Sequence, residues 1–209
     1  MVNWNLVPSF CLPSRLLEAV SRKQAYSVRM EKKNIYTIGH STHSSEEFLE
    51  LLGAYEIRCL VDVRTVPKSR KNPQFGIDLL PGELQAVGIE YQHCKELGGL
   101  RHPAKDSPNT GWRNTSFRGY ADYMASAEFR TALTRLENLA RAKRTAIMCA
   151  EAVPWRCHRS LIADALVARG IAVEEIVSET RRTPHKLTPF ARVDGVAVTY
   201  PAIDAGPAD

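Results

Sequence analysis

The sequence predicts an α/β fold: a doubly wound, mainly parallel sheet of five strands with a C-terminal β-hairpin. Short β-rich segments alternate with amphipathic helical segments from residue 34 onward, which is typical of parallel strands joined by right-handed crossovers. The 209-residue chain is 44% hydrophobic and 24% charged. This composition favours a folded globular domain over a disordered chain.

The first part of the pattern gives two strands and the helix between them. Residues 35–39 form the first β-rich run. A helix follows, because Ser44 or Ser45 can cap its start, acidic residues occupy its first turn and Gly53 lies near its end. Within residues 57–63, the apolar residues Cys59, Leu60, Val61 and Val63 are too continuous for a strand with one face in water, so we predict a central parallel strand there.

The remaining segments continue the alternation. We expect the strand order 3-2-1-4-5, which makes strands one and four neighbours. The Asp194-Gly195 pair favours a type I′ turn in the terminal hairpin. The predicted elements are a helix over 78–87, a strand over 89–91, a long loop over 93–118, helices over 120–124 and 128–141, a strand over 145–149, a helix over 158–169, a strand over 173–177 and the hairpin over 190–200.

We predict one α/β domain over residues 34–202 and a disordered tail over 203–209. Residues 1–33 lack a sustained period, and Met30 stands just before the first strand. This stretch is interpreted as an extension that is either disordered or upstream of the natural start; a functional arm or a targeting peptide is the alternative. Residues 1–29 hold four basic residues and one acidic residue. Much of the net charge of +5 therefore lies outside the predicted domain and says little about a polyanionic partner.

Cysteine usage and missing motifs exclude several classes of protein. The five cysteines are an odd number without a CxxC pair, which argues against a disulfide framework and a zinc finger. We expect reduced thiols in a cytoplasmic protein. No apolar run approaches the roughly 18 residues that a membrane span needs. Neither GxGxxG nor a phosphate-binding loop is present, so no dinucleotide or nucleoside triphosphate cofactor is expected.

Polar and titratable residues gather after three of the predicted strands. In open α/β sheets, ligands bind beyond the carboxyl ends of the strands, where the strand order reverses. The candidate site residues are His40 and Ser41 after the first strand, Arg64, Ser69 and Arg70 after the second, and Cys149, Glu151, Cys157, His158 and Arg159 after the fourth.

Five short motifs stand in order along the chain: TIGHS at 37–41, VDVR at 61–64, LGG at 97–99, MCAE at 148–151 and CHR at 157–159. They resemble the hallmarks of the bacterial domain of unknown function 488 family, and the resemblance runs from about residue 35 to residue 200. The resemblance implies a compact α/β domain in a bacterial cytoplasm. It supplies no reaction, substrate or cofactor.

The two arginines at this edge suggest an anion clamp. Guanidinium groups bind phosphate or carboxylate in a bidentate manner, so Arg64 and Arg159 are predicted to bind an anion, with Ser41, Ser69 and Arg70 as further donors. The alternative is that the two arginines form buried ion pairs with Asp62 or Glu151.

The remaining candidates suggest proton transfer or thiol chemistry. His40 and Glu151 are candidate acid–base groups; His40 could equally hydrogen-bond a loop carbonyl. Cys157 stands beside a helix start, His158 and two arginines, surroundings that lower the pKa of a thiol. Cys149 and Cys157 could instead be structural. A metal held by Cys149, Glu151, Cys157 and His158 is conceivable, but their spacing matches no common zinc pattern, so no metal is predicted.

The leading functional hypothesis is an enzyme that acts on a phosphate-bearing substrate, a nucleotide or nucleic acid. In that hypothesis the 93–118 loop closes over the carboxyl edge of the sheet as a lid; the alternative is that its aromatic residues anchor it. Two other hypotheses stay open. One is a non-catalytic anion-binding or nucleic-acid-binding module, and the other is a thiol-based redox or metal protein centred on Cys149 and Cys157.

Overall fold

The computed structural model of the chain describes residues 34–202. The predictions for residues 1–33 and 203–209 lie outside this range. The helices are α1 (Ser45–Ala54), α2 (Leu80–Ala86), α3 (Thr115–Tyr123), α4 (Ala127–Ala142) and α5 (Arg159–Ala168). The strands are β1 (Ile35–Gly39), β2 (Cys59–Asp62), β3 (Glu90–His93), β4 (Thr145–Cys149), β5 (Val173–Ile176), β6 (Arg182–Pro184), β7 (Arg192–Asp194) and β8 (Ala197–Thr199).

The main sheet has six strands in the order β3-β2-β4-β1-β5-β6. The first five are parallel, and β6 pairs antiparallel with β5. The α/β class and the mainly parallel sheet are therefore confirmed, and β1 and β4 are neighbours as expected. The predicted order 3-2-1-4-5 is wrong, because β4 lies between β1 and β2. The long connection that contains α3 and α4 passes over β2 and places β4 in the gap between the first two strands.

The sheet is covered by apolar side chains on both faces. On one face, Phe48 and Leu52 of α1 and Leu84 of α2 pack with Ile38 and Leu60. On the other face, side chains of α3, α4 and α5 pack against β1, β2, β4 and β5. All residues of β1, β2 and β4 are buried. For β2 this agrees with the apolar run that predicted a central strand.

The terminal hairpin is confirmed, and its turn differs from the prediction. Asp194 pairs with Ala197, so Gly195 and Val196 are the two central residues. Gly195 has a φ of +58°, and Val196 is not among the positive-φ residues. A positive φ at the first central residue alone is the requirement of a type II′ turn, not of the predicted type I′ turn. The short strand β6 was not predicted, because its three exposed residues carry no apolar pattern.

The segment over 93–118 is held down at several points. The Trp112 ring packs against Phe117, Phe190 and Tyr200, with ring centres 4.7–5.5 Å apart. The buried Asn109 side chain donates to Asp122 and accepts a hydrogen bond from the Tyr200 backbone. These contacts favour the anchored alternative over a freely closing lid. Within residues 34–202, no helix is long and apolar enough to span a membrane.

Candidate functional site

A cleft of about 450 Å³ opens at the carboxyl ends of β1, β2 and β4. Because β4 lies between the other two strands, the loops that follow all three meet at this edge. Seven of the ten sequence-predicted site residues line the cleft: His40, Arg64, Ser69, Cys149, Glu151, Cys157 and His158. Lys68 and Arg156 add two exposed cations to its rim.

The other three predicted residues are not among those that line the cleft. Ser41 has a left-handed φ of +48°, and its backbone N–H donates to the Ala150 carbonyl. Its carbonyl lies 3.0 Å from the Nδ1 atom of His40, so Ser41 forms the turn that places His40. Arg70 is exposed, and Arg159 has no exposed surface.

Arg64 forms a buried ion pair at the base of the cleft. Its Nε atom donates to Asp62 Oδ1 at 2.9 Å, and Nη2 donates to Asp62 and to the Phe75 carbonyl. The Tyr91 hydroxyl donates to Asp62 at 2.8 Å, which leaves the carboxylate well partnered. This arrangement is the ion-pair alternative to the anion clamp for Arg64, because most of the guanidinium already has protein partners.

His40 is buried and neutral in this arrangement. Its ring stacks on Phe75 with centres 4.3 Å apart, and its Nε2 atom faces Arg64 Nη1 at 3.3 Å. Arg64 can only donate there, so Nε2 accepts and Nδ1–H donates to the Ser41 carbonyl. Burial, with the charge of Arg64, lowers the pKa of His40 to about 4. A nitrogen that is occupied by an arginine in this way is a poor general base at neutral pH.

Arg159 lies on the side of α5 that faces the sheet, and it contacts Glu175, a residue that the sequence analysis missed. Its Nη1 atom donates to Thr37 Oγ1 at 2.8 Å and to the Glu175 carboxylate at 3.4 Å, and Nη2 donates to the Glu151 carbonyl at 2.7 Å. Burial raises the pKa of Glu175 to about 7, although Arg159 opposes the shift. Glu175 lies in the predicted fifth strand. A carboxylate that is buried there needs a cation as its partner.

The floor of the cleft holds two cysteines and one histidine. The sulfur atoms of Cys149 and Cys157 and a ring nitrogen of His158 all lie within 4.8 Å of one another. His158 Nε2 lies 2.9 Å from the Val63 carbonyl, so Nε2 carries the proton that it donates. The Nδ1 atom faces Cys157 Sγ at 3.7 Å, so it can take the proton of the Cys157 thiol and then donate that N–H back to the thiolate.

These contacts stabilise a thiolate on Cys157. The hydrogen bond from the Cys149 thiol lowers the pKa of Cys157, burial opposes this, and His158 and Arg159 lower it further. The Arg159 backbone N–H at the start of α5 also points at Cys157 Sγ at 3.5 Å. The same pairing, together with burial, raises the pKa of Cys149 well above its usual range. We therefore place the negative charge of the pair on Cys157.

Two glycines keep this group compact. A Cβ atom on Gly99 would meet the His158 ring at 2.5 Å, and a Cβ atom on Gly39 would meet the Glu151 carbonyl at 2.0 Å. Both positions therefore require glycine if the loop after β4 and the His158 ring are to stay in place. This gives a physical reason for the glycines within TIGHS and LGG.

Among residues 34–202, the group that could hold a metal ion is Cys149, Cys157 and His158. Two thiolates and an imidazole are donors that Zn²⁺ accepts. Glu151 is exposed and is not part of the group. In the structure the three side chains already partner one another as thiol, thiolate and imidazole.

The fold and the site define a class: an α/β protein with two adjacent cysteines on the floor of a cleft at the carboxyl edge of its sheet. The chain matches the family described as Domain of unknown function DUF488 over residues 44–166. It belongs to that family, and the resemblance drawn from the five motifs is confirmed. Neither the curated proteins nor the solved structures gave a match to the chain.

Proposed function

We propose that this protein is a thiol-dependent enzyme in which the Cys157 thiolate attacks an electrophilic, anionic substrate bound in the cleft. The observation that carries the proposal is the set of groups around Cys157 Sγ. A backbone N–H, an imidazole nitrogen and a second thiol all face this one atom, and they stabilise the charge that makes a thiol nucleophilic.

An anionic substrate is supported by the charges at the rim. Lys68 and Arg156 are exposed cations at the cleft, and Glu151 is the exposed carboxylate that opposes them. Arg64 adds little net charge, because Asp62 neutralises it. A small excess of positive charge in a concave site raises the local concentration of anions.

A phosphate clamp built from Arg64 and Arg159 has less support than thiol chemistry. Both arginines already pair with carboxylates of the protein, and Arg159 has no exposed surface. An anion would have to displace Asp62 from Arg64, which leaves a buried carboxylate unpaired. The phosphate of a nucleotide remains one form of anion that the rim cations, Lys68 and Arg156, could bind.

The proposal is tested with two alkylating reagents of similar size, neutral iodoacetamide and anionic iodoacetate, followed by peptide mass spectrometry. We expect Cys157 to react faster than Cys59, which is fully buried in β2 and whose pKa burial raises to about 11. The ratio of the iodoacetate rate to the iodoacetamide rate should gain in size at Cys157 compared with the same ratio for a free thiol in solution. Lys68→Gln and Arg156→Gln should remove that gain, and Arg70→Gln, an exposed arginine outside the cleft lining, is the matched control.

Two results would count against the proposal. One is a Cys157 that reacts no faster than Cys59 in the native protein. The other is a zinc ion that copurifies in equal amount with the protein and blocks Cys157 until a chelator removes it, because the thiolates would then serve as ligands.

A further inference from the structure

The two cysteines on the floor of the cleft are close enough to form a disulfide bond after a small movement. Their sulfur atoms lie within 4.8 Å of each other, and a disulfide bond is about 2.05 Å long, so an approach of less than about 3 Å joins them. Cys149 ends β4, where it is in register with Gly39 of β1. Cys157 follows a short turn over Pro154–Arg156 whose Trp155 and Arg156 are exposed. The side chain of Cys157, which follows this exposed turn, is therefore where we expect the approach to occur.

We propose, on the basis of the proposed function, that Cys149 is the resolving thiol for Cys157 and that the substrate class is a small anionic disulfide. Cys149 and Cys157 both line one cleft that opens to solvent, and their sulfur atoms are neighbours, so a reagent bound to Cys157 lies beside the second thiol. The cleft of about 450 Å³ has room for such a molecule, and Lys68 and Arg156 stand at its rim to face carboxylates.

The reaction balances in two exchange steps. In the first step the Cys157 thiolate attacks a disulfide RS–SR, the S–S bond breaks, and Cys157–S–SR and RS⁻ form. In the second step Cys149 gives its proton to the departing thiolate and attacks Cys157 Sγ, which releases the second RSH and forms the Cys149–Cys157 disulfide. The protein loses two electrons and the one proton of Cys149, and the substrate leaves as RS⁻ and RSH. The RS⁻ ion takes a proton from the solvent, so the disulfide ends as two thiols.

The structure explains why Cys149 acts second. While Cys157 is a thiolate, its negative charge lies within 4.8 Å of the Cys149 sulfur, and a neighbouring negative charge opposes loss of the Cys149 proton. Once Cys157 is bonded to a substrate sulfur, it carries no negative charge and is no longer a strong hydrogen-bond acceptor for the Cys149 thiol. The Cys149 proton is then free to leave, so the attack by Cys149 is triggered by the first step.

The test uses three disulfides with the same two-carbon arms: dithiodipropionate, a dianion; hydroxyethyl disulfide, neutral; and cystamine, a dication. Each is mixed with the reduced full-length protein, and intact and peptide mass spectrometry follow the products. Variants Cys149→Ser, Cys149→Ala and Cys157→Ser are compared with Cys59→Ser, which removes a buried thiol away from the cleft.

We expect the native protein to lose two hydrogen atoms and to show a Cys149–Cys157 crosslink, with dithiodipropionate about tenfold faster than cystamine at low salt. Cys149→Ser and Cys149→Ala should instead accumulate a mixed disulfide on Cys157, and Cys157→Ser should give neither product. Cys59→Ser should behave like the native protein.

The failures of the two proposals can be told apart. If a mixed disulfide persists on Cys157 of the native protein, or if the three reagents react equally fast, this inference is overturned while the thiol-dependent function stands. If Cys157 is inert both to these disulfides and to iodoacetamide, both proposals fail.

Discussion

Nη1 of Arg159 lies 3.4 Å from the Glu175 carboxylate, and this arginine side chain is fully buried between α5 and the sheet. The pair joins β5 to the helix that starts next to Cys157, and Nη2 of the same arginine binds the Glu151 carbonyl in the loop after β4. A single buried guanidinium therefore holds two walls of the cleft together.

Arg159→Met is expected to destabilise the fold. The substitution leaves the Glu175 carboxylate buried without its cation, which costs about 3–5 kcal/mol of the free energy of unfolding. Chemical denaturation of the native and variant proteins measures the difference. Arg156→Met, an exposed cation three residues earlier, is the control and should change stability by about 0.5 kcal/mol or less. Equal stabilities for the native protein and Arg159→Met would show that this pair does not hold the fold.

His40 gives a pH dependence whose sign follows from its burial. The folded pKa is about 4 against an ordinary value of 6.5, so between these values the unfolded chain binds a proton that the folded chain does not. Stability is then lost as the pH falls from 6.5 towards 4, by on the order of 2–3 kcal/mol from this group.

The measurement is the free energy of unfolding across that window for the native protein and for His40→Asn, which cannot titrate. The difference between the two proteins isolates His40 from Glu175, whose raised pKa acts in the opposite direction over the same range. Parallel curves for the two proteins would contradict the assignment of a neutral, buried His40.

Much of the fold could be predicted, because local patterns carry it. The bounds of β1 and β4 were predicted to the residue, since each is a short run of apolar and β-branched residues that polar segments flank. The position of β4 in the sheet could not be predicted, because a long connection with two helices precedes β4 and does not specify which strands it pairs with. Strand β6 and the hairpin turn depend on pairing partners that no local pattern specifies.

The sequence predicted the edge of the sheet at which the candidate residues gather, and only some of the contacts that they make there. Loops that follow parallel strands meet at one edge whatever the strand order, so Cys149 and Cys157 were expected to lie together. The partner of Arg159 could not be anticipated, because Glu175 reaches it only through the β1–β5 pairing. An arginine at a helix start has the same sequence signature whether it faces a ligand or a buried carboxylate.

Gly99→Ala is expected to displace the His158 ring. The new Cβ atom would stand 2.5 Å from His158 Nδ1, so the ring must turn away from Cys157 Sγ. We expect slower alkylation of Cys157 and a loss of about 1–3 kcal/mol of stability through overpacking. Gly82→Ala is the control, because a Cβ atom there meets nothing within 4 Å. Unchanged Cys157 reactivity in Gly99→Ala would argue against a role for His158 in positioning the thiolate.

The pH dependence of Cys157 alkylation by iodoacetamide tests the central claim most directly. An ordinary thiol gains reactivity up to about pH 8.5, whereas a thiolate held by Cys149, His158 and the start of α5 is already formed at about pH 6. We predict a rate in the native protein that is nearly constant from about pH 6 to about pH 9, and a rise with pH in Cys149→Ser combined with His158→Ala. A native rate that climbs through pH 8 like that of a free thiol would contradict the account.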